Sequence, residues 1–241
     1  MKISIIVPAF NEERLISGSL REINAALAAF TRRGWETELI VCDNNSTDRT
    51  AELARAAGAR VVFEPVNQIA RARNTGAAAA AGDWLVFVDA DSHPTAELFA
   101  EVAEQIVSGT CLAGGSTMKM DTPLRLPLAV AWFWNQVSRA TRWLAGSFIF
   151  CEAAAFRSIG GFSHELFAAE EIEFSRRLKK LARAGGKRVV VLHRHPLHTS
   201  ARKIHLYTFR EHLSFITRTI LGRGRSLNDR DACNIWYDGR R

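Results

Sequence analysis

The sequence predicts an α/β fold: a mostly parallel sheet with helices on both faces, followed by a mixed second half. Three observations carry this. Short apolar runs rich in β-branched residues, Ile3 to Val7, Leu39 to Cys42, Ala59 to Phe63 and Trp84 to Val88, are separated by helical stretches. The connections are short, which for alternating strands and helices implies parallel neighbours covered by helices. Polar clusters stand where the strands stop, and open α/β sheets bind their ligands at that edge.

In chain order, Ile3 to Val7 is a continuous apolar run, and Pro8 is expected to close it because proline cannot donate to a ladder. Leu15, Ile16, Leu20, Ile23, Leu27 and Phe30 then recur at steps of three and four, the period of a helix buried on one face. A second strand stops at Asp43, and Asn44 to Asp48 forms a polar turn before a helix over 49–57. A third helix spans 69–81. The fourth strand, Trp84 to Val88, ends in Asp89-Ala90-Asp91. Two aspartates separated by one residue at a strand's carboxyl end can offer hard oxygen ligands to a divalent cation. Taken alone, Asp91 reads first as a cap for the helix opening at Pro94-Thr95-Ala96-Glu97.

The bulk numbers bound the class. At 241 residues, 47% hydrophobic and 24% charged, the chain suits one α/β domain with an appendage. Met1-Lys2 leads straight into a strand, so no leader is expected, and no stretch has the apolar length of a membrane span. Cys42, Cys111, Cys151 and Cys233 are widely spaced without a C-x-x-C pair, against a zinc knuckle or disulfide framework and for a reducing, cytoplasmic setting. The net charge of +7 is uneven: residues 1–120 carry 11 Lys and Arg against 15 Asp and Glu, and residues 121–241 carry 21 against 10. Such a field attracts phosphates or an anionic membrane surface. The basic residues sit in no recognisable nucleic-acid module, so no nucleic-acid partner is expected.

Within the loops, Asp43 ends its strand where Asp89 ends its own, and can accept hydrogen bonds from a base edge or sugar hydroxyl. Asp48 reads as a helix cap. Arg73 is a candidate to pair with a phosphate, and Arg71 reads as a solvated helix position.

Ile5 to Glu13 (IIVPAFNEE), Asp43-Asn44-Asn45-Ser46-Thr47-Asp48, Ala72-Arg73-Asn74-Thr75-Gly76 and Asp89-Ala90-Asp91 together resemble, in order and spacing, the family 2 glycosyltransferases, which have the GT-A fold. The resemblance implies a nucleotide-diphosphate-sugar donor (UDP-, GDP- or dTDP-linked). Pro8, Ala9 and Glu12 would line the nucleoside pocket, Asp43 would contact the base, Asp89 would lie near the ribose, and Asp91 would hold Mn²⁺ or Mg²⁺ with Asp89 beside it. Asn74 and Ala90 join the donor-binding set. The fingerprint G-x-G-x-x-G is missing from the first loop, against a nicotinamide-dinucleotide enzyme.

In the second half, Gly160-Gly161-Phe162 precedes Glu170-Glu171. In the family an acidic pair follows such a turn, and its second member is the catalytic base. Here that member is Glu171, with Glu170 beside it, while Glu173 reads as a first-turn acid favoured by the helix dipole. The stretch 128–145, with Trp132, Trp134 and Trp143 near Arg125, Arg139 and Arg142, suggests an amphipathic helix that packs on the core or contacts membrane. His193, His195 and His198 lie after a further strand, 187–192, and His198 is the candidate third metal ligand. Ser200, Arg202 and Lys203 would clamp the leaving diphosphate.

The organisation expected is a GT-A domain over 1–203, with a nucleotide-sugar half (1–120) and an acceptor half (121–203), then a C-terminal amphipathic helix and tail over 204–241. The activity expected is inverting, metal-dependent glycosyl transfer to a glycan, lipid-linked or small-molecule acceptor, with peripheral contact at the inner face of a membrane. The alternatives are a noncatalytic binding subunit and a sugar nucleotidyltransferase.

Overall fold

The structure, a computed structural model, describes residues 1–200, 225–230 and 233. The elements expected over 204–241, together with Arg202 and Lys203, lie outside the described residues apart from the short turn Arg225–Asn228 and its neighbours.

The first half of the chain follows the expected alternation. It comprises β1 (Lys2–Ala9), α1 (Ile16–Ala26), α2 (Ala28–Thr31), β2 (Glu36–Asp43), α3 (Thr50–Ala56), β3 (Arg60–Phe63), α4 (Ile69–Ala78) and β4 (Trp84–Val88). The rest is β5 (Ser92–His93), α5 (Ala96–Val107), β6 (Cys111–Asp121), α6 (Arg125–Thr141), β7 (Phe148–Glu152), α7 (Ala153–Ser158), α8 (Glu170–Ala184) and β8 (Arg188–Ser200). All eight strands join one sheet in the order β3-β2-β1-β4-β7-β6-β8-β5. β1, β2, β3 and β4 are mutually parallel, β7 runs antiparallel between β4 and β6, and β8 is parallel to β6. This is the mostly parallel sheet with a mixed second half that the sequence predicts.

The sequence dictates the two faces. Side chains alternate along a strand, so Ile3, Ile5 and Val7 enter one core with Val86, Val88, Phe148 and Phe150, while Ile6 enters the other with Leu85, Phe87, Ile149 and Cys151. Helices α1 and α5 close the first core through Leu20, Ile23, Phe99 and Val102. Helices α7 and α8 close the second through Phe156, Phe174 and Leu178. Gly76 lets α4 lie directly on β1, because a Cβ there would sit 2.5 Å from Ile6 Cγ2.

Several boundaries differ from the sequence expectation, each for a physical reason. β1 runs through Pro8 to Ala9; its ladder with β4 ends at Ile6, so the missing N–H of Pro8 forfeits no bond on that side. The helix expected over 15–30 is divided into α1 and α2 at Leu27. β8 continues through the histidine segment because β6 pairs with it as far as Asp121 and Ser200. Among the described residues no helix is long and apolar enough to cross a membrane. All four cysteines are buried and none forms a disulfide among the described residues, and burial pushes the Cys42 and Cys111 thiols up to about 12.

Candidate active site

The carboxyl ends of β1 and β2 are stitched together by their own loops. Ala9 C=O accepts from the Asn44 amide at 2.8 Å, and the Asn11 amide donates to Ser46 Oγ at 3.0 Å. The Asn11 carbonyl oxygen in turn accepts from the Thr47 amide at 2.8 Å. Asn11 and Asn45 both take left-handed backbone, with φ of 52° and 66°, which asparagine tolerates better than other side chains. Asp48 does more than cap: it accepts from the Thr50 amide at 2.9 Å and from the Glu13 amide at 3.1 Å, tying two loops. Burial opposes its charge, yet those bonds hold its carboxyl below the usual range. Asp43 is buried and accepts from the Ser46 amide at 3.1 Å, which fixes its side chain at the strand end. Asp91 is not the cap of α5, since Thr95 fills that position by accepting from the Leu98 amide at 3.2 Å.

Arg73, read from the sequence as a candidate phosphate partner, is the centre of the site's electrostatics and is held by groups of the chain itself. It is 1% exposed. Its Nη1 donates to Glu170 Oε1 at 2.6 Å, and its Nη2 to Asp89 Oδ1 at 3.1 Å and to the Gly146 carbonyl at 2.9 Å. The guanidinium lies 5.2 Å from the Phe162 ring centroid, and its Nε has no hydrogen-bond partner among the described residues. Inside a low-dielectric core a cation needs anions. Asp89 and Glu170 supply them, and with Glu171 they hold the guanidinium pKa above its ordinary value against the effect of burial. Asp89 of the D-x-D pair is thereby fixed to the acidic pair of α8.

Glu171 is a different kind of acid. Half-buried beside Glu170, it is pushed up to about 8, first by desolvation and then by the neighbouring charge, with Arg73 acting in the opposite sense. Ala169, immediately before α8, has φ of 60°, a left-handed conformation that costs a non-glycine residue about 1–2 kcal/mol. Glu173 pairs with Arg177 one turn later on the same helix, as a first-turn acid should.

A cavity of about 710 Å³ opens onto these groups. Of the predicted residues, Arg73, Asp89, Asp91, Glu170, Glu171 and Ser200 line it. Pro8, Ala9, Glu12, Asp43 and Ala90 do not; Pro8, Ala9 and Asp43 are the last residues of β1 and β2, and Glu12 lies in the loop after β1. Asn74 is corrected to a structural role. It donates to the Phe162 carbonyl at 2.8 Å and accepts from the Phe162 amide at 2.9 Å, which pins the turn before the acidic pair. His198 is also corrected: its side chain is exposed and does not line the cavity, whose wall β8 supplies through Thr199 and Ser200. The Ser200 amide reaches back to the Asp91 carbonyl at 3.1 Å. Sequence reasoning missed the apolar wall, Met118, Met120, Val130, Trp134 and Ile172. The two-residue spacing of Met118 and Met120 on a strand was the available signal.

Among the described residues no three His, Cys, Asp or Glu side chains form a ready cation cluster. The donor set still fits a hard cation that takes few protein ligands. Asp91 is 7% exposed, lines the cavity and accepts no hydrogen bond through its side chain among the described residues. Mg²⁺ and Mn²⁺ prefer oxygen donors, and Mg²⁺ in particular commonly combines one or two carboxylates with phosphate oxygens and water.

A family profile described as Glycosyl transferase family 2 matches residues 4–157. The chain belongs to glycosyl transferase family 2. Dolichol-phosphate mannosyltransferase of Pyrococcus furiosus is 32% identical over 124 residues, covering 48% of this chain and 33% of that relative. Among solved structures, S. aureus TarS superposes with a TM-score of 0.66 at 21% identity, covering 99% of this chain and 70% of that one. A mannosyltransferase from Pyrobaculum calidifontis, solved with GDP-Man and Mn²⁺, superposes with the same TM-score of 0.66 at 19% identity, covering 96% and 64%. At these identities the structural likeness establishes the fold. This family 2 chain covers less than half the length of the curated relatives it matches.

Proposed function

We propose that this chain is an inverting, metal-dependent glycosyltransferase that moves a sugar from a nucleotide-diphosphate-sugar to an acceptor hydroxyl or phosphate. One observation carries the reading: Asp91, with no side-chain partner, and Glu171, with a raised pKa, line the same cavity. Family membership and the nucleotide sugars bound by fold neighbours, GDP-Man in the Pyrobaculum enzyme and UDP-GlcNAc in TarS, support the donor class.

In this mechanism the acceptor oxygen attacks the anomeric carbon from the face opposite the leaving group. The bond from that carbon to the β-phosphate oxygen breaks, and its electron pair leaves on the nucleoside diphosphate. Glu171 takes the acceptor proton as the new bond forms, so one displacement inverts the configuration without a covalent sugar–enzyme species. Arg73 holds Asp89 and Glu170 in place and offsets their charge. Glu170 in turn disfavours the ionised form of Glu171, which keeps that carboxylate basic. Asp91, with Asp89 beside it, would hold Mn²⁺ or Mg²⁺, which supplies positive charge to the departing diphosphate. The loops that carry Pro8, Ala9, Glu12 and Asp43 would take the nucleoside, and Ser200 with Arg202 the diphosphate.

The test is a panel of UDP-, GDP- and dTDP-sugars assayed for nucleoside diphosphate release with Mn²⁺, with Mg²⁺ and with EDTA. Release with one donor, abolished by EDTA and by Asp91→Ala, is the expected result. Donor binding without release under every metal condition would reduce the chain to a binding subunit.

A further inference from the structure

Helix α6 exposes apolar surface that the catalytic reading does not use. Ten large apolar side chains are exposed among the described residues, and six of them fall between Leu124 and Phe133: Leu124, Leu126, Leu128, Val130, Trp132 and Phe133. The helix is held to the body through Pro127, Ala131 and Ser138, which are buried. Leu126, Val130, Phe133 and Val137 follow one another at steps of four, three and four, so they form one stripe along the helix. That stripe meets the cavity, because Val130 lies in both.

Charge says what covers this surface. From 122 to 151 the sequence carries Arg125, Arg139 and Arg142 and no carboxylate. At the far end of α6 the basic face of α8 joins in: Arg176 lies 5.5 Å from the Trp143 ring centroid, and Lys179 donates to the Thr141 carbonyl at 2.7 Å. Arg183, Arg176 and Arg142 crowd Lys179 closely enough that, with burial as the larger cause, its ammonium is held below the ordinary value. Exposed apolar side chains flanked by cations that pair with no carboxylate among the described residues match the two layers of an anionic bilayer, acyl chains and headgroup phosphates. A protein partner would have to match that combination residue by residue.

We propose that α6 docks on an anionic lipid bilayer and presents the cavity beside Val130 to a lipid-borne acceptor. The docking stands on its own; the acceptor half rests on the transfer reaction proposed above. Leu126, Trp132 and Phe133 sink into the acyl boundary, and Arg125, Arg139 and Arg142 meet phosphates.

The test is co-sedimentation with phosphatidylcholine vesicles and with vesicles that also contain phosphatidylglycerol. The full chain is expected to sediment with the anionic vesicles, less so as salt rises. The double variant Trp132→Glu/Phe133→Glu is expected to bind them roughly tenfold more weakly or worse. Neither residue lines the cavity, so donor hydrolysis in that variant is expected to match the parent. Hydrogen exchange on the unsubstituted protein gives an independent reading: anionic vesicles are expected to protect residues 125–137. Equal sedimentation with both vesicle types, undiminished binding of the double variant, or absent protection would overturn the proposal. So would a lipid-free dimer that the same substitutions dissociate, since a second copy would then cover the face. Vesicle binding without hydrolysis of any donor would instead retain the docking and remove the transferase reading. Transfer to a soluble glycan with equal rates in the presence and absence of vesicles would remove the acceptor half.

Discussion

In the proposed reaction Glu171 has to be basic enough to take a proton and still be ionised when substrate arrives, and its surroundings set where that compromise falls. With a pKa of about 8, the reactive form accumulates as pH rises, so the rate with a hydroxyl acceptor is expected to climb through an acidic limb centred near that value. Glu171→Gln should lower turnover by about 10²–10⁴-fold and flatten the limb while leaving donor affinity nearly intact, measured as kcat and KM across pH. The same shift has a stability consequence of opposite sense. A carboxyl whose folded pKa is raised contributes stability that is full below its ordinary 4.5 and is lost as pH rises toward about 8. The Gln variant carries no such loss, so its Tm relative to the parent is expected to be higher at about pH 9 than at about pH 5. Arg73 is the reverse case, a buried cation between two carboxylates. Arg73→Met strands Asp89 and Glu170 and is expected to cost roughly 3–5 kcal/mol in urea unfolding.

At the scale of elements, the turn between α7 and α8 decides where the acids point. Gly160 and Gly161 both take left-handed backbone, with φ of 77° and 69°, and a Cβ on Gly161 would lie 2.6 Å from Asn74 Oδ1. Gly161→Ala therefore strains the backbone and displaces the amide that pins Phe162. Asn74→Ala leaves the Phe162 N–H and C=O without that partner, a cost of about 1–3 kcal/mol. Both variants are expected to lower Tm and to slow transfer more than they weaken nucleotide binding, because the segments proposed to take the nucleoside lie at the ends of β1 and β2. This turn also marks the limit of what the sequence discloses. The strands β1 to β4 were legible because apolar runs and polar stops are local signals, and Asp43, Asp89 and Asp91 stand at those stops. Asn74 and Phe162 are 88 positions apart, and Arg73 and Glu170 are 97 apart. No local pattern shows that an arginine on a small-residue helix will be buried against a carboxylate from the other half of the chain. The histidine segment was misjudged for the same reason: its strand conformation is imposed by pairing with β6, whereas its composition is that of a loop.

For the whole molecule, the important fact is that the two halves of the chain share one sheet. The antiparallel ladder from Trp84–Glu152 to Val88–Phe148 joins them with no break between the cores on either face. A chain built this way is expected to unfold in a single transition, and anything that binds at one edge of the sheet should raise the stability of all of it. The ligand to use is the nucleoside diphosphate released from the active donor, added with Mn²⁺. At a hundred times its Kd, binding contributes about 2.7 kcal/mol, or a Tm increase of roughly 5–10 °C for a chain of this size. Asp91→Ala separates metal from nucleotide. Its side chain makes no hydrogen bond among the described residues, so the variant's own Tm should equal or exceed the parent's, while the Mn²⁺-dependent part of the shift disappears. Two separate thermal transitions, with nucleotide moving the first alone, would mean that β4 and β7 do not couple the halves. The nucleoside loops and Glu171 would then respond to the donor independently.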